Sequence, residues 1–213
     1  MLYKAEVLNE AALRHARYYL IKLTKLNEAY QSTPESAVPS LRKIMQQLQQ
    51  AHSWLVTNRD VDPSHVDMLV QLTAAGMGYI RMVVSPTEWD RWLQVGIEAA
   101  VEIERSVEHL DFIIEQGIHA FRQGDLESAQ ARAKSGEAAA TTLDETDKRA
   151  QCYYLQALIY QKRGEPEAAH HAITQARQDY EQASDQAGIG KVRSFLAQAA
   201  IDALDYERAQ ELL

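Results

Sequence analysis

The chain has 213 residues and a mass of 24.1 kDa, enough for one sizeable core or one elongated repeat array with a small second unit. Hydrophobic residues at 46% and charged residues at 24% exclude wholesale disorder. The net charge of −8 sits almost wholly in one half: residues 107–213 hold 11 basic against 18 acidic side chains. That half is a poor partner for nucleic acid or an anionic membrane, and a basic or apolar protein surface suits it better.

Glycine (9) and proline (5) are sparse, and they punctuate long stretches of helical period with no useful run of strand-like alternation, so an all-α fold is expected. The opening MLYKAEVLNEAALRH places acids and a His where a signal peptide needs an apolar core. A first helix is expected from Ala5 to Tyr30, with Leu8, Ala12, Ala16, Tyr19, Leu23 and Leu26 on one face. QSTPESAVPS (31–40), with two prolines, reads as a loop or short turn before a helix over Leu41 to Thr57. Asp62 can cap a helix that opens at Pro63. MLVQLTAAGMGYIRMVV (68–84), broken by Gln71 and Arg81, is short of a membrane span and reads as a buried helix. Ser85 and Glu88 have capping-box spacing with Pro86 between them, and Trp89, Trp92 and Leu93 follow on one core-facing side.

The second half repeats itself. FRQGDLESA (121–129) is echoed forty residues later by QKRGEPEAA (161–169). The same offset relates Gly117 to Ala157 and Ala197, Ala120 to Tyr160 and Ala200, Ala129 to Ala169 and Ala209, and Ala133 to Ile173; Leu204 and Asp205 stand where Gly124-Asp125 and Gly164-Glu165 stood. Small residues in a first helix admit the second helix of a pair, and Gly permits the turn between them. Each unit is then a helical hairpin with too little core to stand alone, and such units stack into a solenoid with a groove. Residues 1–106 form an N-terminal region of degenerate helix hairpins and 107–213 the repeats, the last one incomplete.

These anchors resemble the tetratricopeptide repeat (TPR) over about residues 108–213, although the period of forty exceeds the usual ~34 of that family. The longer-helix variety of bacterial signalling proteins is the nearer likeness, with SDQAGIGKVRSFLAQAA (184–200) as an inter-repeat link. RHARYYLIKL (14–23), LQQAHSWLV (48–56) and EWDRWLQVGIEAAVEI (88–103) look like the helical region that joins the nucleotide-binding core of signal-transduction ATPases with numerous domains (STAND type) to their repeat sensors. The chain has no GxxxxGK[ST] loop, so the ATPase is not part of the resemblance, and GIGKV (188–192) reads as an inter-repeat loop. The resemblance implies a right-handed superhelical array of antiparallel hairpins, a TPR-like α-solenoid.

Nothing in the pattern points to catalysis, a metal or a cofactor. The seven histidines form no HxxxH or HExxH, and adjacent His170 and His171 point to different sides of a helix. TTLDETDK (141–148) lacks the central Gly of a calcium loop and reads as a capping loop. Cys152 stands alone in CYYLQALIY, so no internal disulfide forms, a reducing, cytoplasmic compartment is expected, and the thiol is expected to be buried.

Binding remains. In the TPR arrangement the first helix of each pair lines the concave side at fixed distances from its small anchor. That places Asp111, Ile114, Ile118, Phe121 and Arg122 in the groove, then Gln151, Tyr154, Leu158, Gln161 and Lys162, then Lys191, Ser194, Gln198, Ile201 and Asp202. Ile114, Ile118 and Leu158 are equally suited to burial by neighbouring helices, and Tyr154 is the strongest contact residue because it both stacks and hydrogen-bonds. A chaperone-tail carboxylate clamp is disfavoured: its cation positions hold Ile114, Tyr154 and Ser194, then Ile118, Leu158 and Gln198. Two functions stay open, a non-enzymatic scaffold or sensor module that binds a protein or peptide, and an inducer-sensing repeat domain of a transcriptional regulator. The sequence closes on Glu211-Leu212-Leu213 within a helix, so either the protein continues or this repeat edge meets another copy.

Overall fold

The computed structural model describes residues 2–32 and 34–212, and these are helical throughout apart from short turns. Ten α-helices follow in order: α1 (Leu2–Ser32), α2 (Pro34–Thr57), α3 (Pro63–Gly76), α4 (Pro86–Glu102), α5 (Ser106–Gln123), α6 (Leu126–Leu143), α7 (Thr146–Arg163), α8 (Pro166–Gln182), α9 (Gln186–Asp202) and α10 (Tyr206–Leu212). Contacts divide the chain into two compact units, residues 1–112 and 113–213.

In the first unit α1 packs on α2 and α3, and α3 on α4. The expected face of α1 is right from Ala12 onward, with Ala16 and Leu23 fully buried, but Leu8 is exposed. Trp89, Trp92 and Leu93 reach the core, joined by Leu41, Leu48, Leu55, Leu69 and Leu72. Both expected caps form: Asp62 accepts from the Ser64 N–H at 2.7 Å, and Ser85 from the Glu88 N–H at 3.2 Å. Two readings need correction. The expected loop over 31–40 is mostly helix, because α2 starts at Pro34 and carries an exposed Pro39 in its second turn, where a single i→i−4 bond is lost; Thr33 lies outside the described residues. The stretch 68–84 is not one helix: α3 stops at Gly76, Gly78 turns at φ +88°, and a 3-10 turn covers Ile80–Met82. The break lets Tyr79 enter the core, where its hydroxyl donates to the Leu23 carbonyl at 2.7 Å and its ring stacks on Tyr30.

In the second unit α6 packs on α7, α7 on α8, α8 on α9 and α9 on α10. The small anchors do the work expected of them. A β-carbon on Gly117 would stand 3.1 Å from the Arg132 Cβ of α6, and Ala129, Ala157, Ala169, Ala197 and Ala209 are all buried. Cys152 is buried as expected, its sulfur seated over Gly136, and burial followed by the charge of Glu137 pushes its thiol up to about 12. GIGKV is not a loop: Gly188 and Gly190 lie inside α9, so the proposed link over 184–200 is mostly helix.

The forty-residue repeat resolves into two equal steps. Left-handed residues recur every twenty positions, at Glu104, Gly124, Asp144, Gly164, Ser184 and Leu204, with φ between 56° and 82°. After each, the next N–H closes onto the carbonyl five residues back at 2.8–3.0 Å. This is the same C-terminal stop at every joint, a Schellman-type bond that satisfies an otherwise orphaned carbonyl. The helices between are 17 or 18 residues long.

Candidate functional site

A cavity of about 370 Å³ in the second unit draws its lining from four helices. From α5 come Ile118, Phe121 and Arg122, and from α7 Gln151, Tyr154, Leu155 and Leu158. Each set follows i, i+3, i+4 spacing, which puts it on one helix face. Tyr180 of α8 and Lys191 of α9 complete the wall. Leu155 and Tyr180 are buried, Phe121, Gln151 and Tyr154 are half-buried, and Arg122 and Lys191 are exposed. The depth is therefore apolar and the rim cationic.

Tyr180 owes its position to Gly188. A β-carbon at residue 188 would lie 2.2 Å from Cδ1 of the tyrosine ring, so only glycine leaves α9 open to it. The hydroxyl is fully buried and has no hydrogen-bond partner among the described residues. Burial raises its pKa, and the charges of Asp147 and Asp185 push the same way, so it is held as a neutral donor. Those two carboxylates are engaged elsewhere: Asp147 accepts from Gln151 Nε2 and Asp185 from the Ala187 N–H, both at 2.9 Å. Tyr154, whose pKa burial also raises, meets Phe195 edge-on at 6.4 Å between ring centres. Arg149 of α7 grips Asp179 of α8 through two bonds of 2.7 Å, which ties together the pair of helices that carries Tyr154 and Tyr180.

Seven of the fifteen groove residues expected from the sequence meet at this cavity: Ile118, Phe121, Arg122, Gln151, Tyr154, Leu158 and Lys191. The others do not. Asp111 belongs to the first unit. Gln161 lines a separate hollow of about 240 Å³ beside the α7–α8 turn, and Lys162 is exposed outside both, because these residues lie roughly one helical turn beyond Leu158. Gln198 is exposed and donates to Asp202 Oδ1 at 2.9 Å. Ile114 is buried, whereas Ile118 and Leu158 line the cavity. The sequence reading missed Tyr180 because it drew the groove from first helices only, and Tyr180 sits on a second helix. The available signal was a large aromatic followed eight residues later by a helical glycine.

His170 and His171 are exposed on α8. Among the described residues no group of three or more His, Cys, Asp or Glu could hold a metal ion, and no helix is long and apolar enough to cross a membrane. No protein-family model matches the chain, and no curated protein matches it.

Proposed function

We propose that the chain is a non-enzymatic interaction module, a TPR-like solenoid that binds a protein or peptide in the groove formed by α5, α7 and α9, as a scaffold or as the sensor part of a signalling protein. The observation that carries this reading is the convergence of Phe121, Arg122, Gln151, Tyr154 and Lys191, chosen by repeat register, on one cavity. An aromatic and an amide at half depth with cations at the rim suit a side chain entering from an extended partner. The recurring stop every twenty residues and the buried small anchors also favour stacked hairpins.

The test is a peptide array probed with the whole chain, in parallel with a Tyr154→Ala, Lys191→Glu variant of equal helical content. Peptides that retain the wild-type protein and lose the variant support the reading. Retention of both proteins alike, or of neither, overturns it. The cavity volume also falls in the ~300–1,000 Å³ range of small-ligand sites, which favours the inducer-sensing reading if no peptide binds. Thermal-shift screening of organic acids would then raise the melting temperature of the wild type alone.

A further inference from the structure

We infer that the outer face of α1 is a docking surface for an acidic amphipathic helix of a partner protein, held by an apolar seam and by Lys22 and Lys25. The surface lies in the first unit and is independent of the groove in the second.

Spacing is the first observation. Val7, Ala11, Arg14, Tyr18, Ile21 and Lys25 are all exposed, and they follow one another at alternating intervals of four and three residues. That alternation is the seam spacing of two helices wound together. At about 100° per residue these side chains form one stripe, roughly 27 Å long at a rise of about 1.5 Å per residue. The fully buried Ala16 and Leu23 stand on the opposite side of the helix, against the first unit's own core. The stripe itself faces solvent: Val7 is 46%, Tyr18 54% and Ile21 57% exposed. Scattered exposed apolar side chains are ordinary on a protein surface, whereas three in seam register along one helix mark a contact face.

Charge selects the occupant. From Ala11 to Asn27 the helix carries Arg14, Arg17, Lys22 and Lys25 and no carboxylate, in a chain whose net charge is −8. Arg14 is already paired with Glu10 at 3.3 Å, and Arg17 lies within electrostatic reach of Asp62. Lys22 and Lys25 make no ion pair among the described residues, although Glu28 stands only three positions beyond Lys25. The Lys22 ammonium rests 5.2 Å from the centre of the Tyr18 ring. A cation held against the seam in this way is placed for a carboxylate that arrives beside an apolar side chain.

A second copy of α1 is a poor occupant, because it would set four cations against four. An anionic bilayer fits no better, since Arg14 and Lys25 stand within the stripe, where a helix lying in a membrane needs a continuous apolar face. An acidic amphipathic helix matches both parts of the pattern. Its Leu or Ile side chains would pack on Val7, Ala11 and Ile21, and its Asp or Glu side chains would reach Lys22 and Lys25.

The experiment titrates the full chain into labelled three-heptad peptides and follows fluorescence anisotropy. One peptide has Leu at both seam positions of each heptad and Glu beside them, a second has Lys in place of Glu, and a third has the acidic composition in scrambled order. Like charges beside the seam keep each peptide from pairing with itself. Because the chain as a whole is acidic, non-specific attraction favours the Lys peptide, so a preference for Glu cannot come from net charge. The acidic heptad peptide should bind at least about tenfold more tightly than either of the others. Lys22→Glu combined with Lys25→Glu should move the preference to the Lys peptide. Tyr18→Ser combined with Ile21→Ser should weaken the acidic peptide about tenfold with the melting temperature unchanged, because both side chains are largely exposed. The groove variant Tyr154→Ala, Lys191→Glu should bind it as the wild type does.

Equal binding of the acidic heptad and scrambled peptides, preference of the wild type for the Lys peptide, or no binding at all overturns the inference. So does binding that the α1 variants leave intact or that the groove variant removes, since the peptide then sits elsewhere. Light scattering and flotation with phosphatidylserine vesicles test the other occupants. A dimer dissolved by Tyr18→Ser, Ile21→Ser assigns the face to a second copy, and vesicle binding abolished by Lys22→Glu, Lys25→Glu assigns it to a membrane; either result overturns the acidic helix.

Discussion

The ring of Tyr180 occupies the space where a β-carbon of residue 188 would be, 2.2 Å from its Cδ1. Gly190, two residues along the same helix, has nothing within 4 Å of its own β-position. Gly188→Ala should therefore destabilise by about 1–3 kcal/mol through overpacking, although alanine is the better helix former. Gly190→Ala should stabilise by up to ~1 kcal/mol. Urea denaturation of the two variants checks the pair, and equal effects would contradict the close approach.

His52 lies flat on Trp92, 4.2 Å between ring centres, with Nε2 buried and without a partner among the described residues. Burial lowers its pKa from 6.5 to about 4. The unfolded chain thus binds this proton more readily than the folded one, and stability is complete above pH 6.5. It declines as the pH falls through 6.5 toward 4, by up to about 3 kcal/mol from this group. His52→Phe preserves the stacking and removes the titration, so melting curves between pH 7 and pH 4 should be flatter for the variant than for the wild type.

The Arg149–Asp179 pair is mostly buried, with side chains 23% and 11% exposed. Asp179→Leu leaves the guanidinium without its carboxylate and should cost about 2–3 kcal/mol. Arg149→Met combined with Asp179→Leu should cost less than Asp179→Leu alone, because no charge is stranded. A double-mutant cycle in chemical denaturation measures the difference.

Leu204 adopts φ 62° at a position where the equivalent turns have Gly124 and Gly164. Leu204→Gly should stabilise by about 1 kcal/mol, since a left-handed conformation strains an L side chain, and Gly164→Ala should destabilise by a similar amount. Thermal melts of both variants give the sign.

How much of this is legible in the sequence follows from which residues carry each feature. The forty-residue echo is visible because Gly124 and Gly164 mark alternate turns. The twenty-residue step is not, because Glu104, Asp144 and Ser184 take the same left-handed backbone without the residue that advertises it. Capping at Asp62 and Ser85 is local chemistry and reads directly. The helicity of 34–40 is hidden by two prolines, one of which opens α2 while the other stands only a turn inside it. Of the cavity, the part on α5 and α7 follows from repeat register. The Tyr180 wall does not, because it depends on a glycine in α9 making room for an aromatic of α8. Leu212 closes α10, and Leu213, the other half of the expected repeat edge, lies outside the described residues.

Five joints of one geometry at equal spacing, from Gly124 to Leu204, make the C-terminal half a ruler with twenty-residue graduations. Removing one residue from a helix between two joints would rotate everything after it by about 100°, the angle per residue of a 3.6-residue turn. A whole forty-residue segment, cut from one left-handed residue to the next but one, carries its own start and stop and can be copied or excised without disturbing that phase. Duplicating residues 145–184 should lengthen the chain while far-ultraviolet ellipticity per residue stays constant, whereas a one-residue deletion within α7 should lower it.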